Sequence, residues 1–263
     1  MGNLNRKFKF KTDKPLKQTH IQMFRDLVAL PDATSEIEKK FLILCTPRSG
    51  STLFADTLSN TGKIGICEEW FNYEYFAAYS KVIRDNFSLQ EYFNFLGNKT
   101  VGNTGILSLK LHIAQSVIAK QDFDFDLFSL GFDHIIYLYR KDKIAQSVSL
   151  AKAIKSNKFR HNEKAKEKEE ITFHDISYAL GVILEQDKFF QDNLSHTIGA
   201  KYAYEDFSCL DPPHWSYNEV LEALDKEPQD TFSTTMKKQG NKYSEDMTRE
   251  FKKYILGERY ESC

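Results

Sequence analysis

Residues 41 to 52, Phe-Leu-Ile-Leu-Cys-Thr-Pro-Arg-Ser-Gly-Ser-Thr, join an apolar run directly to a turn of small, hydroxyl-bearing residues containing a glycine and an arginine. A buried strand that opens through such a turn into a helix aims several backbone N–H groups at one point, with the positive end of the helix dipole behind them. That arrangement binds anions, phosphate above all. The donors on offer are the N–H groups of Ser49, Gly50, Ser51 and Thr52, the hydroxyls of Ser51 and Thr52, and the guanidinium of Arg48. The loop of a nucleoside triphosphatase closes in Gly-Lys-Ser/Thr, and its lysine reaches the β- and γ-phosphates. Here Gly50 is followed by Ser51, and the cation, Arg48, precedes the glycine. The expected anion is therefore not a magnesium-bound triphosphate.

The elements that must position this turn follow from hydrophobic patterning. Phe41 to Cys45 reads as a buried parallel strand, and Leu53 to Leu58 continues a helix that stops near Asn60 and Gly62. Residues 21 to 30 form a short helix ahead of the charged connector Asp32 to Lys40, and residues 88 to 97 form a helix ended by Gly97. Gly105 to His112 is a strand carrying Lys110, and the β-branched and aromatic run His134 to Tyr139 is another. Ile144, Val148 and Ala151 lie at helical spacing, and Phe173 to Asn193 has Ile176, Leu180, Ile183 and Leu184 on one face. Lys201 to Tyr204 is a last short strand, with helices near 217 to 224 and 245 to 256 closing the chain. Strands alternating with helices in this order imply an α/β fold with a parallel sheet and right-handed crossovers.

Composition removes several function classes. With 36 Lys and Arg against 37 Asp and Glu the formal charge is −1, so no global basic field recommends a nucleic-acid partner. The 21 Phe and 13 Tyr suit a well-packed globular chain. Cys45, Cys67, Cys209 and Cys263 have neither metal-ligand pairing nor the density of a disulfide scaffold, which points to a reducing cytoplasm. No apolar run approaches a bilayer span, and the first twenty residues lack the apolar centre of a secretion signal, so no membrane insertion is expected. None of the seven histidines sits at a metal spacing, and no metal is expected. The run at 162 to 170 reads as a solvated helix face.

Three separated pieces resemble one family, the Stf0-type sulfotransferases related to bacterial trehalose 2-sulfotransferase, which use 3′-phosphoadenosine 5′-phosphosulfate (PAPS). Thr46 to Leu53 is similar to that family's 5′-phosphosulfate loop. Thr61-Gly62 through Gly65 to Glu69-Trp70-Phe71 is similar to its threonine-glycine, glycine, then glutamate with two aromatics. Tyr139-Arg140-Lys141-Asp142 through Ser147-Val148-Ser149 is similar to its 3′-phosphate site. Weaker echoes follow in Gly105 to Gln115, in Tyr204-Glu205-Asp206-Phe207 and in Lys238-Gln239-Gly240-Asn241. The chain departs from the pattern at Ala151-Lys152, where the family has an aromatic-basic pair, and at Met247, where it has a tryptophan.

The resemblance implies a P-loop-like three-layer fold with a central parallel sheet flanked by helices. It implies residues 1–40 as a polar lead-in with a short helix and 41–263 as one sulfotransferase domain. It further implies sulfuryl transfer from PAPS to a hydroxyl of a carbohydrate or glycolipid, with 3′-phosphoadenosine 5′-phosphate (PAP) as product. Arg48, Ser49, Gly50, Ser51 and Thr52 would hold the 5′-phosphosulfate, and Arg140 and Ser149 the 3′-phosphate. Lys238 and Gln239 would add cofactor contacts. Glu69 would be the general base, with Lys110 assisting at the leaving group. If the segment were helical, the adjacent Glu68 would point roughly 100° away from Glu69. Lys110 is open between cofactor contact and structural pairing, His112 reads as packing, and Trp70-Phe71 as core. The acceptor is a small molecule or glycan, and a homodimer is among the states such relatives allow. Two rivals stand beside this reading: a non-catalytic nucleotide or carbohydrate binder, and a small-molecule kinase, for which the lysine after Gly50 is absent.

Overall fold

The computed structural model describes residues 7–9, 16, 18–123, 126–157, 159, 170–208, 215–236 and 240–257. Its strands are β1 (Lys7–Lys9), β2 (Lys39–Cys45), β3 (Asn86–Ser88), β4 (Ile106–His112), β5 (His134–Tyr139) and β6 (Ala200–Ala203). Around them lie α1 (Gln18–Ala29), α2 (Ser51–Ser59), α3 (Tyr73–Val82), α4 (Leu89–Thr100), α5 (Ile113–Phe123) and α6 (Lys143–Ser156). They are followed by α7 (Phe173–Asn193), α8 (Tyr204–Phe207), α9 (Trp215–Ala223) and α10 (Lys242–Ile255). Strands β4, β2, β5 and β6 form a parallel sheet in that order, while β1 and β3 pair antiparallel outside it.

β2 shows why the sheet is covered on both faces. Five consecutive apolar residues, Phe41 to Cys45, are all at most 1% exposed, the mark of a strand with helices above and below. Alternation sends Leu42 and Leu44 into one core with Leu107, Leu109, Tyr137 and the aromatics of α3 and α4. Phe41, Ile43 and Cys45 enter the other core, with Phe54 of α2 and Tyr217, Val220 and Leu221 of α9. The result is the expected three-layer α/β arrangement. Phe24 of α1 lies in the first core against Trp70, Tyr75, Tyr79 and Phe95, so the helix ahead of the connector packs on α3 and α4. A third cluster unites α6, α7 and α10 through Val148, Ile176, Ile183 and Phe251.

From β2 the chain moves to β4 on one side, and from β5 it moves to β6 on the other. The carboxyl ends of β2 and β5, adjacent through the pairing of Cys45 with Leu138, therefore flank a switch point. Open parallel sheets bind ligands at that place.

Several sequence expectations need correction. Gly97 does not end its helix: α4 continues to Thr100, and a Cβ at Gly97 would lie 2.8 Å from the Ile37 side chain, so the glycine admits a neighbour. The segment at Glu68 is not helical. It forms a parallel bridge to Leu109, and Lys110 N–H donates to the Glu68 carbonyl at 3.0 Å. Helices α3 and α5 carry no clear signal in the sequence pattern. α5 begins at the residue after β4, with no turn residue to announce it. Lys238 and Gln239 lie outside the described residues.

Candidate active site

β2 ends at Cys45, and the next five residues turn the chain into α2. Arg48 and Gly50 both have left-handed backbone, φ 63° and 82°, while Ser49 between them does not. Such alternation turns successive N–H groups into one concavity, an anion nest. For Arg48 this conformation costs about 1–2 kcal/mol. Gly50 occupies the N-cap of α2 without a side chain to satisfy the first N–H groups, which no helix satisfies internally. A Cβ there would lie 2.4 Å from Tyr204 Cδ2 and 3.1 Å from Phe207 Cε2, so glycine is required for space as well as for φ.

The loop's side chains divide their tasks. Ser49 and Ser51 are buried, at 0% and 5% exposure, and Ser49 Oγ has no hydrogen-bond partner. Their contribution toward the crevice is therefore their backbone N–H groups. Thr52 Oγ1 accepts from Lys110 Nζ at 2.9 Å and keeps its own proton to donate. Gln146, fully buried on α6, pins the loop by donating to Thr46 Oγ1 at 2.9 Å and to the Pro47 carbonyl at 2.7 Å. Beneath the loop, burial pushes the Cys45 thiol up to about 12, which leaves it a neutral thiol and no nucleophile.

Arg48 reaches across to the helix that follows β5. Its Nε donates to Ser149 Oγ at 3.0 Å and one terminal nitrogen donates to the Phe159 carbonyl at 2.8 Å. Lys152, one turn beyond Ser149, donates to Asn241 Oδ1 at 3.2 Å and Ser244 Oγ at 2.6 Å. Burial, helped by the Arg48 charge, holds its pKa below the ordinary lysine range. Arg140, just past β5, lies over the Tyr204 ring at 4.9 Å from the centroid, with its Nε 3.9 Å from Glu205 Oε1. That Nε is buried without a hydrogen-bond partner. Glu205 accepts the N–H groups of Lys141 at 3.0 Å and Asp142 at 3.1 Å, which fixes the turn after β5. Tyr204 thus touches both corners: its ring closes on Gly50 and carries Arg140. Ser149 meets Arg48 rather than Arg140.

The third corner lies at the end of β4. Lys110 is 1% exposed, and its ammonium stands 3.3 Å from Glu69 Oε1 and 3.9 Å from Glu68 Oε2. Both carboxylates therefore face one cation, which corrects the helical expectation that would have pointed them apart. His112 Nε2 lies 3.4 Å from Glu69 Oε1. Glu69 Oε2 accepts from Gln115 Nε2 at 3.1 Å and Asn72 Nδ2 at 3.2 Å. Lys110 joins this carboxylate to the loop after β2 through Thr52, so the loop and the Glu69 carboxylate stand on two sides of one ammonium.

Arg48, Ser49, Gly50, Ser51, Thr52, Lys110, Glu69, Arg140 and Ser149 all lie at the carboxyl edge of the sheet or on elements leaving it. Sequence reasoning missed Gln146, Tyr204, Asn72 and Gln115 as parts of the site and gave His112 to packing. Three carried a signal: Gln146 lies inside the Tyr139 to Ser149 piece, Gln115 ends the Gly105 to Gln115 echo and Tyr204 starts the Tyr-Glu-Asp-Phe turn. Among the described residues no group of three or more His, Cys, Asp or Glu has metal-binding geometry, and no helix is long and apolar enough to cross a membrane.

A parallel sheet flanked by helices on both faces, with fixed donors collected at its switch point, falls within the P-loop-like α/β class. The family model for Stf0 sulphotransferase matches residues 40–254, from β2 through nearly all of α10, and the chain belongs to that family. It is thus a transferase of sulfuryl groups. The comparison with curated proteins returned no match.

Proposed function

We propose that this chain moves the sulfuryl group of PAPS to a hydroxyl of a carbohydrate or glycolipid acceptor and releases PAP. The observation that carries the proposal is the Tyr204 ring, which lies against Gly50 and under Arg140. The two anion corners are thereby within one aromatic ring of each other, a spacing suited to a single nucleotide with anionic groups on both sides of its ribose. The fit is supported by the nest at Arg48 to Gly50 and by the buried Arg140 Nε, a donor without a hydrogen-bond partner.

When bound, PAPS supplies an electrophilic sulfuryl group on a phosphate leaving group. The N–H groups of Ser49 to Thr52 and the Arg48 guanidinium hold the 5′-phosphosulfate and meet the negative charge that develops on its oxygens. Arg140 and Ser149 hold the 3′-phosphate, with the planar fork of arginine suited to two oxygens at once. By family resemblance Lys238 and Gln239 add contacts to the same nucleotide. Glu69 takes the acceptor's hydroxyl proton as its oxygen bonds to sulfur and the sulfur–phosphate oxygen bond breaks. Lys110 orients Glu69 and, through Thr52, lends positive charge to the leaving side. The reading makes residues 41–263 one sulfotransferase domain at work in the cytoplasm, in keeping with the unpaired, buried Cys45 and Cys67.

Glu69→Ala tests the assignment. PAP affinity, measured by calorimetry, is expected to stay within about threefold, while single-turnover transfer from labelled PAPS falls by about 10²- to 10⁴-fold, the usual worth of a general base. Full transfer activity in the variant would remove Glu69 from the mechanism. Loss of PAP binding in step with activity would favour a purely structural role.

A further inference from the structure

Beside the Glu69 cluster, between the start of α3 and the body of α5, the surface holds a recess of about 80 Å³. Its depth is formed by Phe71, Phe76 and Ala119, exposed to 5%, 2% and 4%, and its rim by Tyr73 and Ile118, exposed to 38% and 41%. One wall consists of the Asn72 and Gln115 side chains. These two amides are the donors to Glu69 Oε2. Their oxygens are engaged as well: Asn72 Oδ1 accepts from Glu74 N–H at 3.1 Å, and Gln115 Oε1 accepts from His112 N–H at 2.9 Å.

Each amide of this wall thus gives its oxygen and one N–H to the protein, and an occupant finds mainly apolar surface. Such a site selects by desolvation. It also stands a single amide side chain away from the group assigned to take the acceptor's proton, so a molecule presenting its hydroxyl to Glu69 is positioned to extend into it.

We propose that this recess binds an apolar portion of the acceptor, a short alkyl or aryl group carried near the hydroxyl that is sulfated. The acceptor class is then an alkyl or aryl glycoside or related amphiphile rather than a free sugar. The proposal rests on the sulfotransfer reading for the role of Glu69.

The test uses the full chain with PAP present and titrates methyl, butyl and phenyl β-glucosides by calorimetry, a readout that serves the wild type and its variants alike. Each buried methylene is worth roughly fourfold in affinity, so even partial burial should make the butyl compound at least about tenfold tighter than the methyl one. A larger gain for phenyl than for butyl identifies the aryl class, and the reverse identifies the alkyl class. Ile118→Asp, a change at an exposed rim position, should abolish the discrimination and leave PAP affinity unchanged. Equal affinities for the three glycosides, no binding by any of them, or discrimination that survives in Ile118→Asp overturns the proposal. PAP affinity in the same samples reports separately on the sulfotransfer reading: failure to bind PAP sinks that reading, whereas PAP binding without glycoside discrimination sinks only the recess.

Discussion

Replacing Gly50 by alanine perturbs both anion corners through one methyl group. The backbone at φ 82° costs a non-glycine residue about 1–2 kcal/mol. The added Cβ would stand 2.4 Å from Tyr204 Cδ2, so the ring must move, and forced repacking of this kind costs about 1–3 kcal/mol. The sum, about 2–5 kcal/mol, corresponds to a fall in Tm of roughly 4–10 °C for a chain of this size. Gly62 supplies the control, since its φ is 68° but nothing lies within 4 Å of a Cβ there. Gly62→Ala should show the backbone cost alone. The functional consequence is specific to Gly50, because the displaced Tyr204 carries Arg140. A charge-assisted contact to phosphate contributes about 1.5–3 kcal/mol, so PAP affinity should fall about 10- to 100-fold in Gly50→Ala and remain unchanged in Gly62→Ala. Calorimetric melting and PAP titration of both variants provide the comparison. Equal Tm losses in the two, together with unchanged PAP affinity in Gly50→Ala, would refute the coupling through Tyr204.

Two more outcomes follow from the same contacts. Lys110→Met leaves the partly exposed Glu68 and Glu69 facing an uncharged side chain, and should destabilise the protein by about 1.5–3 kcal/mol in denaturant melts. Adding Glu69→Gln should recover part of that loss; strict additivity of the two changes would show that the pair is not coupled. Asp142 caps α6 through Ala145 N–H; burial opposes its ionisation, but that hydrogen bond and Lys252 outweigh it, and the carboxyl lies below its usual 3.8. Its contribution is accordingly complete above the unfolded value and is lost as pH falls through the lower folded one. The difference in Tm between wild type and Asp142→Asn, which keeps a capping side chain, should narrow as pH drops below about 4. A difference that stays constant into strong acid would show that the charge contributes nothing.

The parts of this site legible in the sequence were those set by local pattern. Phe41 to Cys45 had to be an interior strand because no other element buries five apolar residues in a row before such a turn, and His134 to Tyr139 followed from its β-branched and aromatic run. Arg48 and Arg140 were legible as the cations that end these two strands. The orientation of Glu68 relative to Glu69 is not legible locally, because it is set by the pairing of Glu68 with Leu109 in β4, a tertiary contact that no local spacing encodes. Gln146 was passed over because a glutamine on a helix is normally a solvent-facing residue, and only the packing of α6 against the loop makes it a buried clamp. Asn72, His112 and Gln115 gained their places from the convergence of three elements on one carboxylate. Tyr204 was read as part of a turn, but its contact with Gly50 depends on β6 lying beside β5.

The most direct measurement compares the affinities of PAP and adenosine 5′-monophosphate, which lacks the 3′-phosphate, in wild type and in Arg140→Ala. With both corners gripping one nucleotide, wild type should prefer PAP by about 10- to 100-fold, and Arg140→Ala should erase that preference while leaving the monophosphate's affinity unchanged. An equal loss for both ligands, or a wild-type protein that binds the two alike, would contradict the assignment of Arg140 to a 3′-phosphate and with it the case for PAPS as the donor.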